Sequence, residues 1–147
     1  MKVLIALDHH EVSMKALKFY LENIHKPDHE IHGFHLSLQE KLPAGGTPEA
    51  QQKLADICKA KEEKLKKKCA KLISEVSPEA KFEFVVLEKL GAFDAEEIGK
   101  FLIEEIKQVD AGLVILGCRG HLKLKHFLGS VSDYVVKQCS VPTLVLK

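Results

Sequence analysis

None of the four cysteines, Cys58, Cys69, Cys118 and Cys139, stands in a CxxC spacing. Unpaired spacing of this kind reads as free thiols in a reducing compartment. Long apolar runs are missing too. The chain opens with only Val3 to Leu7 before Asp8, too short for a signal peptide, and no stretch is long enough to span a bilayer. A cytoplasmic protein is therefore expected. Neither sign of charge dominates: 22 Lys and Arg face 21 Asp and Glu, for a net charge of +1. That balance argues against nucleic acid or an acidic membrane surface as a partner. The chain lacks the GxGxxG dinucleotide fingerprint, and no lysine follows Gly129 as a P-loop would require. What remains is 147 residues, 46% apolar and 29% charged, the size and balance of one domain, 1–147, with a single core.

Apolar patterning then divides the chain. Val3 to Leu7 is a continuous apolar run, as in a strand buried on both faces of a parallel sheet. Ser13 is placed as a helix N-cap, followed by the helical stripe Ala16, Leu17, Tyr20, Leu21 and Ile24. Ile31 to Leu38 reads as a second strand. Gln39 to Gly46 is a loop, broken by Pro43, Gly45 and Gly46, that serves as a flap or as a mere connector. Thr47 and Pro48 start a long helix whose stripe runs from Leu54 to Val76, with Cys58 and Cys69 on it as packing residues. Phe82 to Leu87 is the third strand. Asp94 and Glu97 form a capping pair for a helix burying Ile98, Phe101, Leu102 and Ile106. Leu113 to Leu116 and Thr143 to Leu146 are the last strands, with a helix over Val131 to Gln138 between them. Strands alternating with helices predict an α/β domain with a parallel sheet.

The stretch from Val114 to Tyr134 concentrates the functional signal. A short strand breaks at Gly117, Gly120 follows, and eight residues later Gly129-Ser130 opens a helix. Glycines let backbone approach a ligand closely, and a helix N-terminus offers unpaired N–H groups with a partial positive charge. Arg119, Lys123, Lys125, His121 and His126 add positive charge nearby. Phosphate binding is one reading. Simple chain turns and a helix cap are the other.

Several further residues carry a blander and a sharper reading. His9 and His10 are exposed loop histidines, or they line a pocket at the end of the first strand. His32 and His35 lie three apart on a strand, hence on opposite faces, so they do not chelate one ion. Lys59, Lys61, Lys64, Lys66, Lys67, Lys68 and Lys71 crowd one helix. Glu62 and Glu63 interrupt them and no aromatics interleave, so a solvated face is expected rather than a nucleic-acid patch. Cys118 beside Arg119 is a candidate reactive thiol, with no base assignable to it.

Gly117-x-x-Gly120, the later Gly129-Ser130, the tail Val141-Pro142-Thr143-Leu144-Val145-Leu146 and the opening Val3-Leu4-Ile5-Ala6-Leu7-Asp8 resemble a universal stress protein of the ATP-binding type, over nearly the whole chain. The resemblance implies a single Rossmann-like domain with a five-stranded parallel sheet, order 3-2-1-4-5, and helices on both faces. It implies a homodimer paired through Thr143 to Leu146, and ATP or AMP as ligand, with Mg2+ as a candidate companion. Ala6, Leu7, Asp8 and Leu36 would hold the adenine. Leu116 and Gly117 would floor the ribose, and Arg119, Gly120, Gly129, Ser130, Val131 and Ser132 would take the phosphates. No catalytic residue and no metal ligand follows, so any hydrolysis is expected to be slow. The family separates its second glycine from the Gly-Ser pair by nine residues, and this chain by eight. One residue shifts a chain by about 3 Å, so a member that works through dimerisation and protein contacts, without nucleotide, is the alternative.

Overall fold

The computed structural model describes residues 1–119 and 129–147. Its elements follow the order β1 (Lys2–Ala6), α1 (Glu11–Asn23), β2 (Glu30–Gln39), α2 (Pro48–Val76), β3 (Lys81–Leu90), α3 (Ala95–Val109), β4 (Leu113–Gly117), α4 (Ser130–Gln138) and β5 (Thr143–Leu146). The strands form one sheet, order β3-β2-β1-β4-β5, with every pairing parallel. The parallel α/β sheet is the one that the patterning predicts, and its strand order is the one that the resemblance implies.

β1 is continuous in apolar residues because both of its faces are covered. Val3 and Ile5 pack with Leu17, Tyr20, Leu65 and Cys69 of α1 and α2, whereas Leu4 packs with Leu102, Ile106 and Val135 of α3 and α4. Burial pushes the Cys69 thiol up to about 12, which makes it a packing group with little thiolate. The α2 lysines stand exposed on the opposite side of that helix.

Local chemistry fixes the helix starts. The Thr47 side chain accepts from the Ala50 N–H with Pro48 at the first helical position, and Asp94 and Glu97 form a reciprocal capping box. Ser13 is a correction. The N-cap of α1 is His10, and Ser13 lies inside the helix. Its hydroxyl instead accepts from the Asp8 N–H at 3.1 Å and lies 2.9 Å from the Asp8 carbonyl and 3.0 Å from that of His10. A serine that reaches back into the preceding turn imitates the sequence signal of a cap.

β2 and β3 run longer than their apolar patterns, to Gln39 and Leu90, because they pair with each other over their whole length. β1 stops at Ala6, opposite Phe34 of β2. The far end of β2 therefore has a neighbour on one side and no strand on the other.

Below the sheet's opposite end, the Tyr20 hydroxyl meets Nδ1 of His25 at 3.2 Å and Nδ1 of His29 at 2.9 Å. A hydroxyl has one proton to donate, so at most one imidazole accepts from it. Desolvation holds the His29 pKa below its ordinary value. The N-terminal ammonium, His25 and Lys26 push the same way, and Asp28 opposes them. As pH falls, the unfolded chain, whose imidazole titrates near about 6.5, takes up the proton first. Stability from this cluster is thus complete above that pH and is lost as pH falls toward the lowered folded value. Urea melts at about pH 7.5 and about pH 5.5 should show a smaller acid loss in His29→Gln than in the parent. An equal loss in both would remove His29 from the account.

Candidate functional site

The candidate crevice is placed at the carboxyl ends of β1, β2 and β4, the edge where open α/β sheets bind ligands. Asp8 follows β1. Its Oδ1 accepts from the His10 N–H at 2.8 Å, and its Oδ2 lies 4.0 Å from Arg119 Nε. Arg119 Nη1 also reaches His10 Nε2 at 2.6 Å. A guanidinium only donates, so that nitrogen accepts. The ion pair is largely exposed and weak. Arg119 therefore bridges the ends of β1 and β4 on a contact that a stronger anion can displace.

His35 extends this site inward, and the sequence did not mark it for that role. It is buried, and its Nδ1–H donates to the Leu7 carbonyl at 2.8 Å. Its ring stacks on Phe84 and meets His9 edge-on at 5.3 Å. His32 turns the other way, with Nδ1 3.3 Å from Glu83 Oε2. The two histidines thus serve opposite faces, and among the described residues no three side chains are grouped to hold a metal ion.

Backbone alternation decides what Leu36 offers. The Phe34 carbonyl accepts from the Leu7 N–H, toward β1, and the Gln39 carbonyl accepts from the Gly91 N–H, toward β3. N–H and C=O of one strand residue point to the same side, and neighbours alternate. Leu36 is two residues from Phe34, so its amide and carbonyl point toward β1, beyond that strand's end. They form an acceptor–donor pair at the rim of the crevice. Ala6 and the buried Leu116 pack in the same apolar cluster as Leu36, whereas the Leu7 side chain lies in the cluster on the opposite face, against α1 and α2.

At Gly117 the glycine serves packing. A Cβ there would stand 3.0 Å from Val12 Cγ1 and 3.1 Å from the Ser13 N, so its absence lets the first turn of α1 close on β4. Gly129 has a different setting. A Cβ there would meet Ser132 Oγ, Cys118 Sγ and Arg119 N at 3.4, 3.6 and 4.0 Å, all ordinary contacts. The end of β4 and the start of α4 thus lie against each other. The Gly129 N–H donates to the buried Cys118 Sγ at 2.8 Å. Ser132 is buried and its hydroxyl donates to the Gly129 carbonyl, so that side chain faces inward. Ser130 is exposed, and α4 has no side-chain cap. The N–H groups of Ser130, Val131 and Ser132 lie in the first turn, where a helix supplies no partner. Gly120, His121, Lys123, Lys125 and His126 lie outside the described residues.

The arrangement can bind an anion at the start of α4 and a planar ring with donor and acceptor edges beside Leu36. No helix among the described residues is long and apolar enough to cross a membrane.

The profile of the universal stress protein family matches residues 1–147. No curated protein sequence matches the chain significantly. Among solved structures, a universal stress protein family member from Burkholderia pseudomallei is 16% identical, with a TM-score of 0.69, covering 99% of this chain and 94% of its own. One from Arabidopsis thaliana, solved with AMP bound, is 21% identical, with a TM-score of 0.68 and coverage of 100% and 91%. A universal stress protein in complex with cAMP is 16% identical, with a TM-score of 0.61 and coverage of 99% and 95%.

Proposed function

Since the chain belongs to the universal stress protein family, we propose that it is a single-domain, cytoplasmic regulatory protein of the stress response that binds ATP or AMP and acts as a homodimer. The observation that carries this reading is the contact between the two glycine bends: Gly129 lies against Cys118 and Arg119, so the start of α4 faces the end of β4. A helix start carries roughly half a positive charge, and the N–H groups of Gly129, Ser130, Val131 and Ser132 would take the phosphates there. Gly120, outside the described residues, would join them in this reading. Arg119 would leave Asp8 and His10 for the phosphate, a stronger partner than an exposed carboxylate. Leu36 would hold the adenine edge through its backbone, with Ala6, Leu7 and Asp8 beside it, and Leu116 and Gly117 would floor the ribose. Mg2+ would enter with the phosphates. The AMP and cAMP in two structural neighbours support a ligand of this class. Turnover is slow or nil, since no P-loop lysine is present.

The dimer would form through β5, a four-residue edge strand whose residues are all half-buried in the single chain. An unpaired apolar edge is a template for another strand.

Two observations favour the second reading, a member that works by protein contacts without nucleotide. The Cys118 thiol already holds the Gly129 N–H, and the motif is one residue short. Calorimetry with ATP and AMP on the purified protein tests the choice. Saturable binding, or nucleotide carried through purification, supports the first reading. No heat with either ligand, in a folded dimer, transfers the case to the second.

A further inference from the structure

A cleft of about 290 Å³ lies between α2 and the far ends of β2 and β3, on the sheet face opposite Leu36. Alternation along β2 turns Ser37 and Gln39 to the α2 side of the sheet, while Leu36 packs on the other face. Ala55 and Cys58 of α2 and Leu90 of β3 line the cleft together with polar side chains.

Three of them have acceptor oxygens to offer. Glu62 on α2 has its Oε1 buried with no hydrogen-bond partner among the described residues. Ser37 is 7% exposed and lines the cleft. Gln39 donates through Nε2 to the Gln51 carbonyl at 3.4 Å, which leaves its Oε1 to accept. Gln51 is committed on both sides of its amide, accepting from the Leu42 N–H and donating to the Glu40 carbonyl, so it walls the cleft and offers nothing to a ligand. Lys89 does not neutralise the carboxylate, since its ammonium lies over the Phe101 ring at 4.8 Å. At the rim, Lys59 on α2 and Glu88 on β3 are exposed and opposite in charge.

A buried carboxylate oxygen without a donor is costly. The group that answers a carboxylate, a hydroxyl and an amide carbonyl together is a primary ammonium, with three N–H donors and no acceptor. The volume is at the small end of ligand pockets, below what a nucleotide needs. We propose that this cleft is a second binding site, specific for a free amino acid or a zwitterion of that size. Its ammonium is held by Glu62, Ser37 and Gln39, and its carboxylate faces Lys59. The site shares no residue with the nucleotide crevice and stands whether or not nucleotide binds.

The test is a thermal-shift and ¹⁵N-resonance titration of the whole protein with the free amino acids, each beside its N-acetylated form. At about ten times Kd, a free amino acid should raise Tm by about 3–6 °C and shift the resonances of Ser37, Gln39 and Glu62. The N-acetylated form, which lacks the ammonium, should do neither. Glu62→Gln keeps size and removes the charge. It should weaken binding at least tenfold while the free variant melts no lower than the parent and binds ATP as the parent does. The proposal is overturned if no amino acid produces a shift, if the acetylated forms bind equally well, or if Glu62→Gln binds as tightly as the parent.

Discussion

Valine at Gly129 is expected to lower ATP affinity at least about tenfold, roughly 1.4 kcal/mol, and to leave the melting temperature nearly unchanged. Two observations separate these effects. Gly129 has φ −59° and ψ 152°, a backbone conformation open to any L-residue. A Cβ there makes only ordinary contacts, so the fold has no need of a glycine. Those contacts are to Cys118 Sγ, Arg119 N and Ser132 Oγ, which border the gap between β4 and α4. The branched carbons of valine would extend into the space the phosphates require. Calorimetry with ATP beside a thermal melt gives both numbers. Equal affinity in parent and variant would reject this site, whereas a collapsed melt would mean the glycine serves folding after all.

The second large effect concerns stability. Gly99 lies on α3, and a Cβ there would collide with the ring of Tyr134 on α4. Gly99→Val should therefore cost about 1–3 kcal/mol by overpacking, a fall in Tm of roughly 2–12 °C for a chain of this size. Glycine normally weakens a helix by about 1 kcal/mol against alanine, so a gain in stability on replacement would mean that α3 and α4 part easily. Adding Tyr134→Ala removes the obstructing ring. The double variant should recover part of the loss, because residues in contact do not behave additively. Chemical denaturation of the four proteins measures the coupling. A purely additive result would show that Tyr134 is not what the new side chain meets.

Much of this fold was legible because periodicity and caps agree with it. The apolar run of β1, the Thr47-Pro48 start and the Asp94/Glu97 box each have a local cause that a sequence displays. Ser13 misled because its hydroxyl does serve the backbone, one turn further back than a cap would. The ends of β2 and β3 were missed because their pairing, not their side chains, carries them to Gln39 and Leu90. Gly99 left one faint signal, an isolated glycine in a helical pattern, and its reason lies 35 residues away in Tyr134. Of the proposed site, the glycines and Asp8 are the parts that a sequence displays. Arg119 bridging to His10 is a contact across 109 residues, and no local pattern announces that. Nor does one announce that Gly117 admits α1, or that Cys118 meets the Gly129 N–H.

The two borders of the sheet differ in kind. β5 offers four residues. β3, on the far side, offers ten, with Lys81, Glu83 and Glu88 exposed along it. Ionic side chains on a border strand discourage a neighbour from docking. If two copies join through β5 about a two-fold axis, each contributes its guarded border to the outside of the pair. Growth then stops at two, and the molecule acquires a fixed stoichiometry instead of a tendency to form filaments.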